Sequence, residues 1–164
     1  MILLLILSGT IISICMGLRQ SLGLFMRPMT VDAGISAATF GFAIALQNIV
    51  WGLAQPFVGA LADKHGPRPI LIVTALLYAL GLLLMAFWHG AVGIDVAGFL
   101  LGIGTAGTAF GVLTGVVTRA TPPEKRSQTV GIVAAAGSLG TMVLAPVGQS
   151  LIDTYGWQVA MVSF

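Results

Sequence analysis

The sequence predicts an all-α, polytopic membrane protein. Of its 164 residues, 57% are hydrophobic and only 7% are charged. A water-soluble domain carries about 25% charged residues, so this chain lacks the charge needed to cover a globular surface in water. That shortage excludes a soluble enzyme, a disordered chain and a protein that binds nucleic acid. The apolar residues form continuous runs, whereas strands of a transmembrane barrel alternate over about ten residues, so helices are favoured.

Five apolar stretches are long enough to span a lipid bilayer, since about 20 helical residues cross about 30 Å of hydrocarbon. The predicted spans, with a sixth that stops early, are approximately residues 2–26, 35–61, 69–88, 92–118, 128–152 and 157–164. Turn-forming residues separate them, as at Arg27-Pro28 and Tyr155-Gly156. Because the sixth stretch is too short to cross a membrane, we expect the chain to end inside an incomplete sixth helix.

The first stretch carries a cation, Arg19, inside an apolar segment. At 1.5 Å per residue, Arg19 lies about 27 Å along a helix that begins at Met1, in its outer half. A charge within a span costs about 2.5 kcal/mol or more. Arg19 therefore either extends to the outer headgroups or binds an anion, because a guanidinium matches a carboxylate. Gln20 and Ser21 add neutral donors beside it, and periodicity leaves the two interpretations equal.

In the second stretch, Gln47, Trp51 and Gln55 recur every four residues and therefore share one face of a helix. Buried amides in lipid need partners, so this stripe is expected to face inward. It either lines a cavity or forms helix–helix hydrogen bonds, each worth about 0.6 kcal/mol. Pro56 permits a kink in the same helix.

The turn after the second stretch combines a carboxylate, cations and glycines in the sequence Gly59-Ala-Leu-Ala-Asp63-Lys64-His-Gly66-Pro-Arg68. Gly66 allows a left-handed turn residue. Asp63 can pair with a cation or meet the positive N-terminus of another helix. The sequence therefore predicts a structured turn rather than a plain linker.

The fourth and fifth stretches are rich in glycine. In the fourth, Gly107, Gly111 and Gly115 recur every four residues, a spacing that lets helices approach closely. His65 and His89 lie near predicted span ends, where a solvated side chain is expected. No pair of carboxylates, metal-ligand cluster or nucleophile–base arrangement is recognisable. We therefore expect no catalytic residue, no metal and no cofactor.

Basic residues indicate the orientation of the bundle in the membrane. Five of them lie in the turns after the second and fourth stretches, namely Lys64, Arg68, Arg119, Lys125 and Arg126. The turns on the other side contain only Arg27. This excess of basic residues places those turns, and therefore the N-terminus, on the cytoplasmic side. The membrane is expected to be the plasma or inner membrane of the cell. The first helix conflicts with this orientation because no cation precedes it, which we explain by cytoplasmic residues missing before Met1.

The turn that contains Asp63 resembles the loop signature of the major facilitator superfamily. Seven positions match, namely Gly59, Leu61, Asp63, Lys64, Gly66, Arg68 and Leu71. The match lies between spans 2 and 3 on the predicted cytoplasmic side, as in the family. The resemblance implies the N-terminal six-helix bundle of a 12-helix fold, with a truncated sixth helix and the C-terminal half absent. It also implies that this turn latches the two halves and governs the switch between outward-open and inward-open states.

Three segments carry a further resemblance: Gly17-Leu-Arg19-Gln20-Ser21, Gln47-Asn48-Ile-Val-Trp51-Gly52 and Ala136-Gly137-Ser138-Leu-Gly140. These segments, in the first, second and fifth stretches, are similar to bacterial members of the monocarboxylate transporter-like branch, which includes oxalate/formate antiporter relatives. The resemblance implies a secondary active transporter that moves a small organic anion, such as a monocarboxylate, by alternating access. Arg19 would then contact the anion and couple it to protons, a candidate coupling ion, with Gln20, Gln47 and Gln55 as further candidate substrate-binding residues. Gly98 stands where many proton-linked relatives have an arginine.

Two alternatives stay open at this stage. One is a transporter of the same fold that exports drugs or moves other metabolites. The other is a non-transporting half-bundle that serves as an assembly subunit. In each case the expected surroundings are the lipid bilayer, and none of these interpretations makes the chain an enzyme.

Overall fold

The computed structural model describes residues 2–88, 90–108 and 110–164, so Met1, His89 and Ala109 lie outside it. The helices are Ile2–Ser21 (α1), Met26–Asp32 (α2), Ala37–His65 (α3), Pro67–Phe87 (α4), Ala91–Thr108 (α5), Phe110–Arg119 (α6), Arg126–Tyr155 (α7) and Trp157–Ser163 (α8). Within those ranges there is no strand. The predicted all-α class is confirmed.

Five helical stretches are long and apolar enough to cross a membrane. They are residues 3–32, 37–65, 67–87, 91–119 and 123–155. The first is longer than the sequence pattern predicts, because a 3₁₀ turn at Leu22–Phe25 joins α1 to α2. Pro28 falls in the first turn of α2, where a missing N–H removes no helical hydrogen bond. The dipeptide Arg27-Pro28 therefore does not end the rod, which runs on to Asp32.

The tight turns between helices depend on glycine at two places. Gly66 separates α3 from α4 with φ at +87°, and Gly156 separates α7 from α8 with φ at +83°. A residue with a Cβ is strained in that region of backbone space.

At the N-terminal end of α3, the Ser36 hydroxyl accepts a hydrogen bond from the Thr39 amide at 3.0 Å and caps the helix.

α1 and α7 form one closely packed seam of the bundle. A Cβ added at Gly140 of α7 would overlap the carbonyl of Ser13 in α1. One added at Gly17 of α1 would lie 2.5 Å from the Gly140 oxygen. The two glycines therefore allow the backbones to touch, as small residues do between membrane helices.

α5 packs between α3 and α4 in a second seam. Cβ atoms added to its glycines would meet Ala43 from Gly98 and Gln47 from Gly102. Because both residue numbers rise together, α3 and α5 run parallel. The predicted close approach also occurs at Gly107, where a Cβ would overlap the Thr74 side chain of α4.

The apolar core divides into two clusters along the length of the bundle. The larger one lies among α1, α3, α4, α5 and α8 and includes Leu22, Phe25 and Met85. The smaller one lies among α1, α6 and α7 and includes Ile12 and Met16. Along the first rod, the change from one cluster to the other falls between Met16 and Leu18, next to Arg19.

Candidate functional site

Arg19 lies near the middle of the first rod, 17 residues after Ile2 and 13 before Asp32. Its Nη2 donates a hydrogen bond of 2.6 Å to Oδ1 of Asn48 in α3. Its Cζ lies 4.5 Å from the centre of the Trp51 ring, a distance typical of a cation–π contact. Both partners lie near the middle of α3 rather than at either of its ends.

The Asn48 side chain has a second bond that fixes its orientation. Its Nδ2 donates to the Ile44 carbonyl of the same helix at 2.7 Å. A carbonyl can only accept, so the amide nitrogen must face Ile44 and the amide oxygen must face Arg19. The guanidinium is therefore held by an uncharged acceptor, Asn48 Oδ1, whose orientation is fixed by the bond to Ile44.

Arg19 lines a cavity of about 340 Å³ between α1 and α7. The lining residues are Met16, Arg19, Gln20, Ala134, Gly137, Ser138 and Thr141. Opposite the cation, α7 contributes the hydroxyls of Ser138 and Thr141, and Thr141 already donates to the Ser138 carbonyl at 2.7 Å. One cation beside the neutral donors of Gln20 and Ser138 can hold a single carboxylate group.

Of the predicted stripe Gln47, Trp51 and Gln55 on α3, Trp51 contacts Arg19, whereas the two glutamines face other helices. Gln47 is only 2% exposed, and its backbone carbonyl lies against Gly102 of α5. Gln55 is half-buried beside Gly111, where an added Cβ would lie 3.1 Å from its Nε2. Of the four candidate substrate-binding residues, Arg19 and Gln20 share the cavity, whereas Gln47 and Gln55 pack against α5 and α6.

At the end of α3, the Asp63 carboxylate pairs with a cation from α6. Arg119 Nη1 donates to Asp63 Oδ1 at 2.6 Å, and both side chains are more than half exposed. Because α3 and α5 run parallel and α6 follows α5, the ends of α3 and α6 lie close together. Lys64 and Arg68 are also exposed, and within the described ranges neither forms an ion pair.

A family model for the Major Facilitator Superfamily matches residues 3–164. The chain belongs to the Major Facilitator Superfamily. This confirms the resemblance carried by the turn between α3 and α4. The helices long enough to span a membrane make this major facilitator chain a multi-pass membrane protein.

Curated relatives of this major facilitator chain are named as transporters. Monocarboxylate transporter 11 of Mus musculus is 32% identical over 149 residues, covering 88% of this chain and 32% of that protein. The niacin transporter NiaP of Acinetobacter baylyi is 26% identical over 135 residues, covering 82% and 30%.

The oxalate:formate antiporter of Oxalobacter formigenes is 26% identical over 156 residues, covering 93% of this chain and 36% of that protein. The chain thus spans about a third of the length of the curated relatives it matches. The similarity to a monocarboxylate transporter and to an oxalate:formate antiporter confirms the resemblance to the monocarboxylate transporter-like branch.

Three residues of the site were not among the sequence-based candidates, namely Asn48, Ser138 and Thr141. Asn48 precedes Trp51 by three residues, so the helical spacing places both on one face. Ser138 follows the Ala136-Gly137 pair, and Thr141 lies one turn further on. The sequence contains these spacings, but only the packing of α1 against α7, and the side-chain contacts between Arg19 and α3, relate them to Arg19.

Proposed function

We propose that this chain is the N-terminal half of a secondary active transporter that moves a small organic anion by alternating access. The observation that carries the proposal is the environment of Arg19. Its guanidinium lies near mid-bundle, opens onto a cavity of about 340 Å³ and pairs with no carboxylate within the described ranges. An arginine of this kind is costly in a membrane, which favours a functional partner for its charge.

The cavity supplies only one wall of a binding site. Transporters of this architecture bind substrate near the midplane, between two repeats that rock against each other. The length of the curated relatives supports a second six-helix half facing the α1–α7 cavity. The names of those relatives support a carboxylate as substrate, with protons as a candidate coupling ion.

The Asp63–Arg119 pair is the proposed core of the conformational latch. It ties the end of α3 to the end of α6 at 2.6 Å. Exposed pairs contribute about 0.2–1 kcal/mol, so this one can break and re-form during a transport cycle. Gly59, Lys64, Gly66 and Arg68 complete the proposed latch, by resemblance to the family turn.

We also propose that the N-terminus faces the cytoplasm and that the protein lies in the plasma or inner membrane. The support is the cluster of basic residues in the turns at one end of the bundle. The structure brings two of these turns together through Asp63 and Arg119. Labelling from each side of the membrane, with one cysteine introduced at Lys64 or at Arg27 in a chain carrying Cys15→Ser, tests the orientation.

Binding of radiolabelled oxalate, formate and nicotinate to the chain in lipid nanodiscs tests the anion site. The native chain is expected to bind at least one of the three, and Arg19→Gln is expected to lose that binding by about tenfold or more. Arg19→Lys keeps a charge but loses the planar fork, so it should bind with intermediate affinity. Arg27→Gln, an exposed arginine outside the cavity, is the matched control. Equal binding by the native chain and Arg19→Gln would refute the anion site.

Reconstitution of the chain alone tests whether it is half of a transporter. With one wall of the site, proteoliposomes should show no uptake of the anion that the chain binds. Uptake by the 164-residue chain as a homodimer would contradict the proposal of a second half.

A further inference from the structure

Arg19 is held by two uncharged groups of α3. Asn48 accepts a 2.6 Å hydrogen bond from Nη2, and the Trp51 ring lies 4.5 Å from Cζ. Within the described ranges, the one ion pair is that of Asp63 with Arg119, so no carboxylate neutralises Arg19. The guanidinium is therefore fixed in place while its full charge is kept.

The choice of an amide at position 48 has an electrostatic consequence. Asparagine and aspartate have nearly the same shape and present the same acceptor oxygen. An aspartate would form an ion pair with Arg19, and its carboxylate could accept two parallel N–H bonds from the guanidinium. That pair would leave the guanidinium with little attraction for a second anion. Asn48 leaves the charge available, because it uses one of the five N–H donors and adds no charge.

The orientation of Asn48 does not depend on Arg19. The 2.7 Å bond from Nδ2 to the Ile44 carbonyl directs Oδ1 away from its own helix and toward α1. The guanidinium that it meets lines the cavity with Ser138 and Thr141. The second bond therefore sets the direction in which Arg19 is held.

We propose that Asn48 is a positioning residue, which orients the Arg19 guanidinium at the α1–α7 cavity and leaves its charge free for the carboxylate of the substrate. The inference rests on the proposed function, in which Arg19 binds an organic anion. A residue that merely braced α1 against α3 would need an acceptor oxygen and nothing more. The two roles predict different effects for aspartate at this position.

Affinity and stability are measured on the same variants, Asn48→Asp and Asn48→Ala, in nanodiscs. The affinity is read from binding of radiolabelled oxalate, formate or nicotinate, whichever the native chain binds, at constant ionic strength. If Asn48 keeps the charge free, Asn48→Asp weakens binding by about tenfold or more, and Asn48→Ala by about threefold. The Tm is expected in the opposite order, with Asn48→Asp above Asn48→Ala, because aspartate keeps a bond between α1 and α3.

Gln128→Glu is the matched control, since Gln128 is exposed and the change adds the same charge far from the cavity along α7. It should leave the affinity unchanged. If the affinities instead rank in the same order as the Tm values, with Asn48→Asp equal to native and above Asn48→Ala, the inference is overturned. Asn48 would then only brace α1 against α3. If Arg19→Gln abolishes binding while Asn48→Asp binds like native, the inference fails and the proposed function stands. If the native chain binds none of the three anions, or Arg19→Gln binds like native, both fail.

Discussion

Substitution of Gly140 by alanine is expected to destabilise the bundle although alanine favours helix. Gly140 lies in α7 at the seam with α1, and an added Cβ would overlap the Ser13 carbonyl. The obstacle is backbone, so the two helices must move apart. Overpacking of this kind costs about 1–3 kcal/mol, while alanine in place of a helical glycine stabilises by about 0.5–1 kcal/mol. The net expectation is a loss of about 0–2.5 kcal/mol.

Gly131→Ala is the matched control on the same helix. Gly131 is exposed, and a Cβ there would meet nothing within 4 Å. This variant gains the helix preference without the clash, so it should stabilise by about 0.5–1 kcal/mol. Unfolding in mixed detergent micelles, followed by the helical circular dichroism signal, gives both free energies of unfolding.

The opposite signs of the two changes are the test of the α1–α7 packing. If Gly140→Ala and Gly131→Ala both stabilise by similar amounts, α1 and α7 do not touch at Gly140. The seam and the cavity beside it would then be placed incorrectly.

Three other changes test the turns and the helix ends. A double-mutant cycle with Asp63→Asn and Arg119→Gln should give a coupling energy of about 0.2–1 kcal/mol that shrinks in high salt; no coupling at low salt would contradict the pair. Gly66→Ala should cost about 1–2 kcal/mol of unfolding free energy because φ is +87°, whereas Gly59→Ala, in open space, should not destabilise. Ser36→Ala removes the cap of α3, so chemical unfolding should show a loss of about 1 kcal/mol; an unchanged midpoint would argue against the cap.

The fold class was predictable because hydrocarbon imposes a simple rule on sequence. Runs of about 20 apolar residues without charge have few structural alternatives. Helix ends were less predictable, as Arg27-Pro28 shows. Proline breaks the interior of a helix but is tolerated in its first turn. Pro28 lies in the first turn of α2 because a 3₁₀ turn precedes it, and the sequence has no clear local signal for that 3₁₀ turn.

Partners across helices were the least predictable part of the site. The sequence indicates that Arg19 needs a partner, but Asn48 is 29 residues away and becomes its neighbour only when the folded bundle brings the Arg19 side chain to α3. The same holds for Asp63, whose partner Arg119 follows 56 residues later. The glutamine stripe was predictable as a stripe, yet the period of a helix does not say whether its inward face meets a cavity or another helix.

The most direct test of the account is whether a carboxylate touches Arg19. Solid-state NMR of the chain in lipid, with ¹⁵N-labelled arginine and ¹³C-labelled oxalate or formate, detects dipolar coupling between a guanidinium and a carboxylate carbon. The account predicts coupling to one arginine, lost in Arg19→Lys and retained in Arg27→Gln. Coupling that persists in Arg19→Lys, or its absence from the native chain when the anion is bound, would contradict it.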